Sequence, residues 1–134
     1  KKYDVAVGSI GRWGQKRIDD DGNVIESALQ HDKNLIDAAS RLGCPVFNCG
    51  CNYTESKTYL ENCEIAINYF KTLLDYAKDK NVKIAVYNCD WANFVYNDKA
   101  WSIIMPALPG LGIKLNHAFV DPFRVNSVSV KDIV

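Results

Sequence analysis

The sequence has no long apolar run and no excess of charge of one sign. Its longest apolar stretches, such as residues 84–87 and 103–108, are far shorter than the roughly 20 residues of a membrane-spanning helix. Sixteen basic residues balance sixteen acidic ones, with the signs interspersed, which argues against a nucleic-acid or membrane partner. No signal-peptide core is visible at the N-terminus, so we expect a cytoplasmic protein.

Cysteine is too sparse for a disulfide framework. The five cysteines form an odd set, and three of them lie within or just beyond apolar, strand-like segments, which favours buried free thiols. Cys49 and Cys51 place two sulfurs on the same side of an extended segment, where a soft metal would need two further ligands. No second close pair of cysteines or histidines exists, and we therefore predict no metal ligand.

Several catalytic motifs are also missing. There is no Gly-x-Ser-x-Gly elbow, and no cysteine has a histidine close in sequence, so nothing supports nucleophilic catalysis. Gly8, Gly11 and Gly14 fit neither a Walker loop nor a dinucleotide fingerprint. Their backbone N–H groups beside Arg12 could cradle a phosphate, but a turn is the interpretation that we favour.

The sequence does contain a regular alternation of strand-like and helix-like segments. Apolar periodicity predicts helices at residues 26–42, 60–77 and 100–108, and strands at residues 3–10, 45–49, 82–89 and 113–119. Gly43 is expected to end the first helix, and Asn97 or Asp98 to cap the third. Leu42 and Leu60 fall on the predicted buried faces of the first two helices.

This order predicts an α/β fold with parallel strands, because each helix carries the chain back across one face of the sheet. Residues 1–124 are expected to form one domain, with residues 125–134 as an edge strand or tail. Three predicted strands end close to an asparagine, namely Asn48, Asn88 and Asn116. Ligands in α/β folds bind at the carboxyl ends of strands, so these amides lie where a site is expected.

Four segments carry a resemblance to a known family. They are Arg12-Trp13-Gly14, residues 42–47, residues 82–95 and Leu111-Gly112-Ile113-Lys114. They resemble the sugar phosphate isomerase/epimerase family of the xylose-isomerase-like TIM-barrel class, over about residues 3–118. The resemblance implies a (β/α)₈ barrel of carbohydrate metabolism, in which a divalent metal (Mn, Mg, Co or Zn) held by carboxylates and histidine polarises the sugar.

The chain departs from the family pattern at the expected metal ligands. Tyr87 stands where many members have a glutamate, and Asn116 stands where an aspartate is expected. With these ligands replaced, we predict no cofactor. A complete barrel needs about 250 residues, so we expect about four βα units of a TIM-type barrel, with an open flavodoxin-like sheet as the alternative.

The candidate site follows from the strand ends of such a barrel. The expected substrate-binding residues are Arg12, Trp13, Asn48, Asn88, Trp91, Asn93 and Asn116. Amides offer a donor and an acceptor to sugar hydroxyls but also commonly cap loops, and large aromatics can equally seal a barrel mouth. His117 is the catalytic candidate, because an imidazole with an ordinary pKa near 6.5 can move a proton; a structural hydrogen bond is the alternative.

Two functional hypotheses follow. The first is a sugar or sugar-phosphate isomerase/epimerase-like protein, in a truncated form with weak or absent activity. The second is a non-catalytic carbohydrate-binding or assembly module that has lost its metal site. Because half a barrel exposes unpaired strand edges and an apolar inner face, we expect a homodimer or higher oligomer.

Overall fold

Strands and helices alternate along residues 4–115, the part of the chain that the computed structural model describes. The elements are β1 (Ile10–Arg12), α1 (Glu26–Leu42), β2 (Val46–Cys49), α2 (Tyr59–Ala77), β3 (Lys83–Tyr87), α3 (Asp98–Ala107) and β4 (Gly112–Lys114). The strands form one sheet in the order β1-β2-β3-β4, and every neighbouring pair is parallel. The predicted α/β fold with crossover helices is therefore confirmed.

Each strand pairs with the strand that follows it in the sequence. A flavodoxin-like sheet has the order 2-1-3-4-5, in which the winding reverses at a switch point. The described strands have no such point, so the flavodoxin-like alternative is wrong for them. Because right-handed crossovers that step in one direction stay on one side, the helices form a single layer, in which α2 contacts both α1 and α3.

The core lies between this helix layer and the side of the sheet that it covers, here called the helix face. Alternate strand residues point toward it, and Phe47, Cys49, Ile84 and Val86 are fully buried there. They belong to the same apolar cluster as the buried stripe of α2, which includes Ala66, Phe70 and Leu73. Burying a large apolar side chain stabilises the fold by roughly 1.5–3 kcal/mol, so this layer fixes the sheet.

Local signals define where the helices begin and end. Gly43 ends α1 with a left-handed φ of 66°, which a glycine adopts without strain. Thr58 and Glu61 form a reciprocal capping box at the start of α2. The side chain of Asn97 accepts a hydrogen bond from the Ala100 N–H at the start of α3, which confirms the predicted cap.

Two of the sequence predictions are wrong in detail. Instead of a first strand at residues 3–10, the described part of the chain has β1 at Ile10–Arg12, because only these residues pair with β2; Val5 and Val7 are exposed. Leu42 and Leu60 are also exposed rather than buried. Each lies in a terminal turn of its helix. There the sequence still follows the helical apolar spacing, but the side chain does not pack against the core.

The last predicted strand is present only in part. β4 spans Gly112–Lys114, and the rest of the strand predicted at residues 113–119 lies beyond the described residues. Asn116, His117 and the predicted edge strand or tail at residues 125–134 also lie outside the described residues. Within residues 4–115, none of the helices has the length and apolar content required to cross a membrane.

All five cysteines are buried and free, which confirms the prediction of free thiols. Burial raises the pKa of Cys49 and of Cys51 to about 12. Because a thiol reacts through its thiolate, these two groups are packing residues rather than nucleophiles at neutral pH.

Candidate functional site

One row of residues crosses all four strands on the side of the sheet away from the helices, here called the opposite face. In register, the row consists of Gly11, Asn48, Ala85 and Gly112. Its other members are glycine or alanine, so Asn48 projects from a row of small residues. Within this row Asn48 is the last but one residue of β2, close to a carboxyl end of the sheet, where parallel α/β folds bind ligands.

Asn48 is fully buried, and only half of its amide is paired. Its Nδ2 donates to the Ile10 carbonyl oxygen at 3.0 Å, whereas its Oδ1 has no hydrogen-bond partner. A buried acceptor without a donor destabilises a fold by roughly 1–3 kcal/mol. Such a group needs an explanation, such as a ligand or water that donates to it, and we take Asn48 as the polar centre of the candidate site.

The indole of Trp13 lies over the same part of the opposite face. A Cβ added to Gly11 would lie 2.2 Å from the ring atom Cη2 of Trp13 and 2.8 Å from Asn48 Oδ1. The centroid of the indole is 6.3 Å from that of the Tyr87 ring, and Lys114 Nζ lies 5.1 Å from it. Since Trp13 is 43% exposed, it offers solvent an aromatic surface with a cation beside it.

Tyr87 links the sheet to the loop that follows β3. Its hydroxyl donates to the Trp91 carbonyl oxygen at 2.6 Å. Burial raises the pKa of Tyr87 to about 12, so the phenol is a neutral donor at physiological pH. The bond holds Trp91 at this end of the sheet, with its indole 65% exposed.

A groove of about 660 Å³ lies on the opposite face, mainly beside the residues where the strands begin, and it reaches Lys114. Its walls include Ser9, Val46, Ala85 and Gly112. Small-molecule pockets usually have volumes of roughly 300–1,000 Å³, so the groove has the size of a ligand pocket. Its lining includes Lys114 but not Trp13 or Asn48, so it is separate from the place where those two residues meet.

Arg12, which was predicted to bind substrate, lies away from this site. It follows Gly11 in β1, so its side chain points to the helix face. There its Nη1 donates to the Ala28 carbonyl oxygen at 3.0 Å and to Asp32 Oδ1 at 2.9 Å. The guanidinium of Arg12 therefore binds α1 and not the opposite face.

Asp32 is the centre of a buried charge cluster that also contains Arg12, Arg17 and Tyr69. Arg17 Nε and the Tyr69 hydroxyl both donate to Asp32 Oδ2, each at 2.7 Å, and Arg17 and Asp32 are fully buried. Burial, followed by the charge of Asp32, raises the pKa of Tyr69, so its hydroxyl remains a donor. The cluster joins β1 and the loop after it to α1 and α2.

Asp32 was not among the predicted site residues, although the sequence contains a signal for it. Asp32 lies three residues after Leu29 and four before Ile36, which places a carboxylate on the apolar stripe of α1. A carboxylate is almost never fully buried unless it is paired, so the stripe itself implied a cationic partner. Arg17 lies in a loop, where no periodicity indicates burial.

Asn93, which was predicted to bind substrate, hydrogen-bonds to the backbone through both atoms of its amide. Its Oδ1 accepts from the backbone N–H groups of Cys51 and Val95, each at 3.1 Å. Its Nδ2 donates to the carbonyl oxygens of Tyr87 and Cys89. An amide offers two acceptor and two donor positions, and Asn93 uses all four to join the loops after β2 and β3.

The predicted substrate residues thus separate into distinct groups. Trp13 and Asn48 meet above Gly11, and Trp91 is anchored nearby through Tyr87. Asn88 is buried just after β3, and its backbone N–H donates to the Lys114 carbonyl oxygen at 3.3 Å. The candidate site therefore consists of Trp13, Asn48, Tyr87, Trp91 and Lys114.

The described residues do not fit a divalent metal. Within residues 4–115, no three histidine, cysteine, aspartate or glutamate side chains come together as a possible ligand set. Around Asn48 the available groups are an amide, a neutral phenol and a lysine, whereas hard divalent cations prefer carboxylate oxygens. The metal implied by the resembled family therefore has no ligand set in this part of the chain.

Comparison with known proteins assigns no family to the chain. A scan against models of protein families finds no match, and a search of curated proteins finds none either. The function is therefore argued from the residues of the site.

Proposed function

We propose that the chain binds a sugar or sugar phosphate at the carboxyl end of its sheet, as an isomerase-like protein without metal-dependent catalysis. The observation that carries this proposal is the buried Oδ1 atom of Asn48, which is an acceptor without a donor. Sugars present many hydroxyl donors, and a single hydroxyl satisfies this acceptor.

Trp13 supplies the apolar part of the proposed site. A sugar ring has C–H faces as well as hydroxyls, so it can stack on the indole while a hydroxyl reaches Asn48. The exposed indole of Trp91 offers a second aromatic surface. Lys114 Nζ, 5.1 Å from the centre of the Trp13 ring, is a point charge suited to a phosphate group.

The strand order supports a relationship to TIM-type barrels. Consecutive parallel neighbours with one helix layer are the arrangement of successive βα units in such a barrel. The four described strands are half the number of strands in such a barrel. Their likeness to a half-barrel is the reason for including isomerase-like ancestry in the proposal.

Weak isomerase or epimerase activity is the second candidate. It is favoured by the position of the site at the strand ends, where barrel enzymes place their catalytic groups. The site residues named above include only Tyr87 and Lys114 as proton carriers, and the pKa of Tyr87 is raised to about 12 by burial. General acid–base catalysis works best with a pKa near the operating pH, so binding is the better-supported function.

Sugar binding is expected to survive removal of metal ions. Calorimetric titration with D-xylose, D-fructose and their phosphate esters should give the same affinity with and without EDTA, because the described site has no metal ligand set. Trp13→Ala and Asn48→Ala should each weaken binding by about tenfold or more, the loss expected for about 1.4 kcal/mol. Asn34→Ala, which changes an exposed amide on α1, should leave binding unchanged.

Several results would count against this proposal. Binding that disappears in EDTA would point to metal-dependent recognition. If none of the sugars gives a measurable heat of binding, the proposed function is contradicted. Isomerisation of any panel member by the metal-free protein would favour the second candidate over binding alone.

We also propose that the chain forms a homodimer or higher oligomer. Within the described residues, β1 and β4 each pair with one neighbour only, and unpaired strand edges tend to associate. Light scattering at micromolar concentration is expected to give at least twice the mass of one chain. A stable monomer at that concentration would contradict this proposal.

A further inference from the structure

The approach of Trp13 to Asn48 has a consequence for how a ligand enters the proposed site. Position 11 has no side chain, and the space that a Cβ would occupy there is bounded by Trp13 Cη2 at 2.2 Å and Asn48 Oδ1 at 2.8 Å. The tip of the indole therefore lies against the backbone of Gly11, beside the unpaired acceptor. A sugar hydroxyl that donates to Asn48 must enter where the indole now lies.

The orientation of the Asn48 amide determines what kind of group it can bind. Its Nδ2 donates to the Ile10 carbonyl oxygen, and a flipped amide would place two oxygens against each other. Oδ1 is therefore fixed as the atom that faces the indole, and it can only accept. A ligand must present an O–H or N–H group at this point, because a carbonyl, ether or phosphate oxygen would leave the acceptor unpaired.

Trp13 is positioned to move. It lies just past the end of β1, and its side chain is 43% exposed. Gly14 follows it with a φ of 64°, a left-handed conformation that a glycine adopts readily. Its contacts on the sheet side are the Tyr87 ring, at a centroid distance of 6.3 Å, and Lys114 Nζ, 5.1 Å from its centre, and neither is a hydrogen bond to the indole.

We propose that the Trp13 indole is a movable cover over a subsite formed by Asn48 and Gly11. In this subsite Asn48 Oδ1 accepts a hydrogen bond from a hydroxyl of the ligand. Without ligand, the ring closes over the Asn48 acceptor; with ligand, a hydroxyl takes its place and the ring stacks on the sugar. This inference rests on the proposed sugar-binding function. It adds that the site selects ligands with a hydroxyl at one position. Sites that hydrogen-bond a ligand hydroxyl reject the analogue lacking it by about 10⁴-fold or more when fully formed.

The cover can be tested by acrylamide quenching of tryptophan fluorescence, with Trp13→Phe used to isolate the Trp13 signal. In Gly11→Ala the new methyl occupies the ring position, so quenching of Trp13 should increase and its emission should shift to the red. The same methyl lies against Asn48 Oδ1, so calorimetry should show loss of sugar binding. Gly8→Ala is the matched control, because an added Cβ there meets nothing within 4 Å.

Sugar titration of the wild-type chain completes the test. The tightest-binding member of the xylose and fructose panel should change Trp13 quenching, and its analogues deoxygenated at single positions should include one that fails to bind. If a sugar gives a heat of binding but does not change Trp13 quenching, the proposal of a movable cover is wrong and the proposal of sugar binding stands. Unchanged quenching in a folded Gly11→Ala variant would overturn it as well, whereas a panel without heat would remove both proposals.

Discussion

Replacing Asp32 with asparagine is expected to destabilise the fold by about 3–5 kcal/mol, because it leaves a buried charge without its partner. Asp32 accepts hydrogen bonds from Arg12, Arg17 and Tyr69. Asparagine keeps the volume but removes the negative charge, and its NH₂ group faces donors. Chemical unfolding followed by circular dichroism should show a large decrease in the denaturant midpoint.

Asp37→Asn is the matched control for this substitution, since it changes a carboxylate on the same helix. Asp37 pairs with Lys80 at 2.8 Å near the surface, where solvent screens the interaction. The expected midpoint therefore lies close to that of the wild type. Equal effects of the two substitutions would show that the buried cluster does not stabilise the fold as described.

Asn93→Ala is expected to destabilise the chain by about 2–4 kcal/mol, because it leaves buried backbone groups unpaired. Two of these are the N–H groups of Cys51 and Val95, and two are the carbonyl oxygens of Tyr87 and Cys89. Thermal unfolding gives the stability, and hydrogen exchange should show faster exchange in the loops after β2 and β3.

Asn34→Ala is the matched control for Asn93→Ala, because it makes the same truncation at an exposed amide. Asn34 lies on the solvent side of α1, and alanine has the higher helix propensity, so Asn34→Ala should be neutral or slightly stabilising. Unchanged hydrogen exchange at Cys51 and Val95 in the Asn93 variant would contradict the structural role of this residue.

The helices were predictable because their signals are local. The apolar stripe of α2, the glycine after α1 and the asparagine cap of α3 each act within a few residues. The bounds of the first strand were not predictable, because β1 is defined by its pairing with β2 and not by its own apolar pattern. Val5 and Val7 alternate like strand residues, but among residues 4–115 they belong to no strand, and both are exposed.

The candidate site was predictable only in part for a similar reason. The carboxyl-end rule directed attention to Asn48 and Trp13, but sequence alone does not show that they meet above Gly11. The position of Arg12 on the helix face was not predicted, because a shift of one residue along a strand reverses the face to which a side chain points. The hydrogen bonds of Asn93 were not predicted, because its partners lie after two different strands.

Sugar binding at Asn48 and Trp13 is tested most directly by a proton–nitrogen NMR titration with the xylose and fructose panel. The predicted result is that the indole N–H of Trp13 and the side-chain amide of Asn48 shift with the same saturation curve. The indole of Trp101 and the side chain of Asn62, which are hydrogen-bonded to the Val95 and Thr54 backbone, should not move. Shifts confined to other residues, or no shift at saturating sugar, would contradict the proposed site.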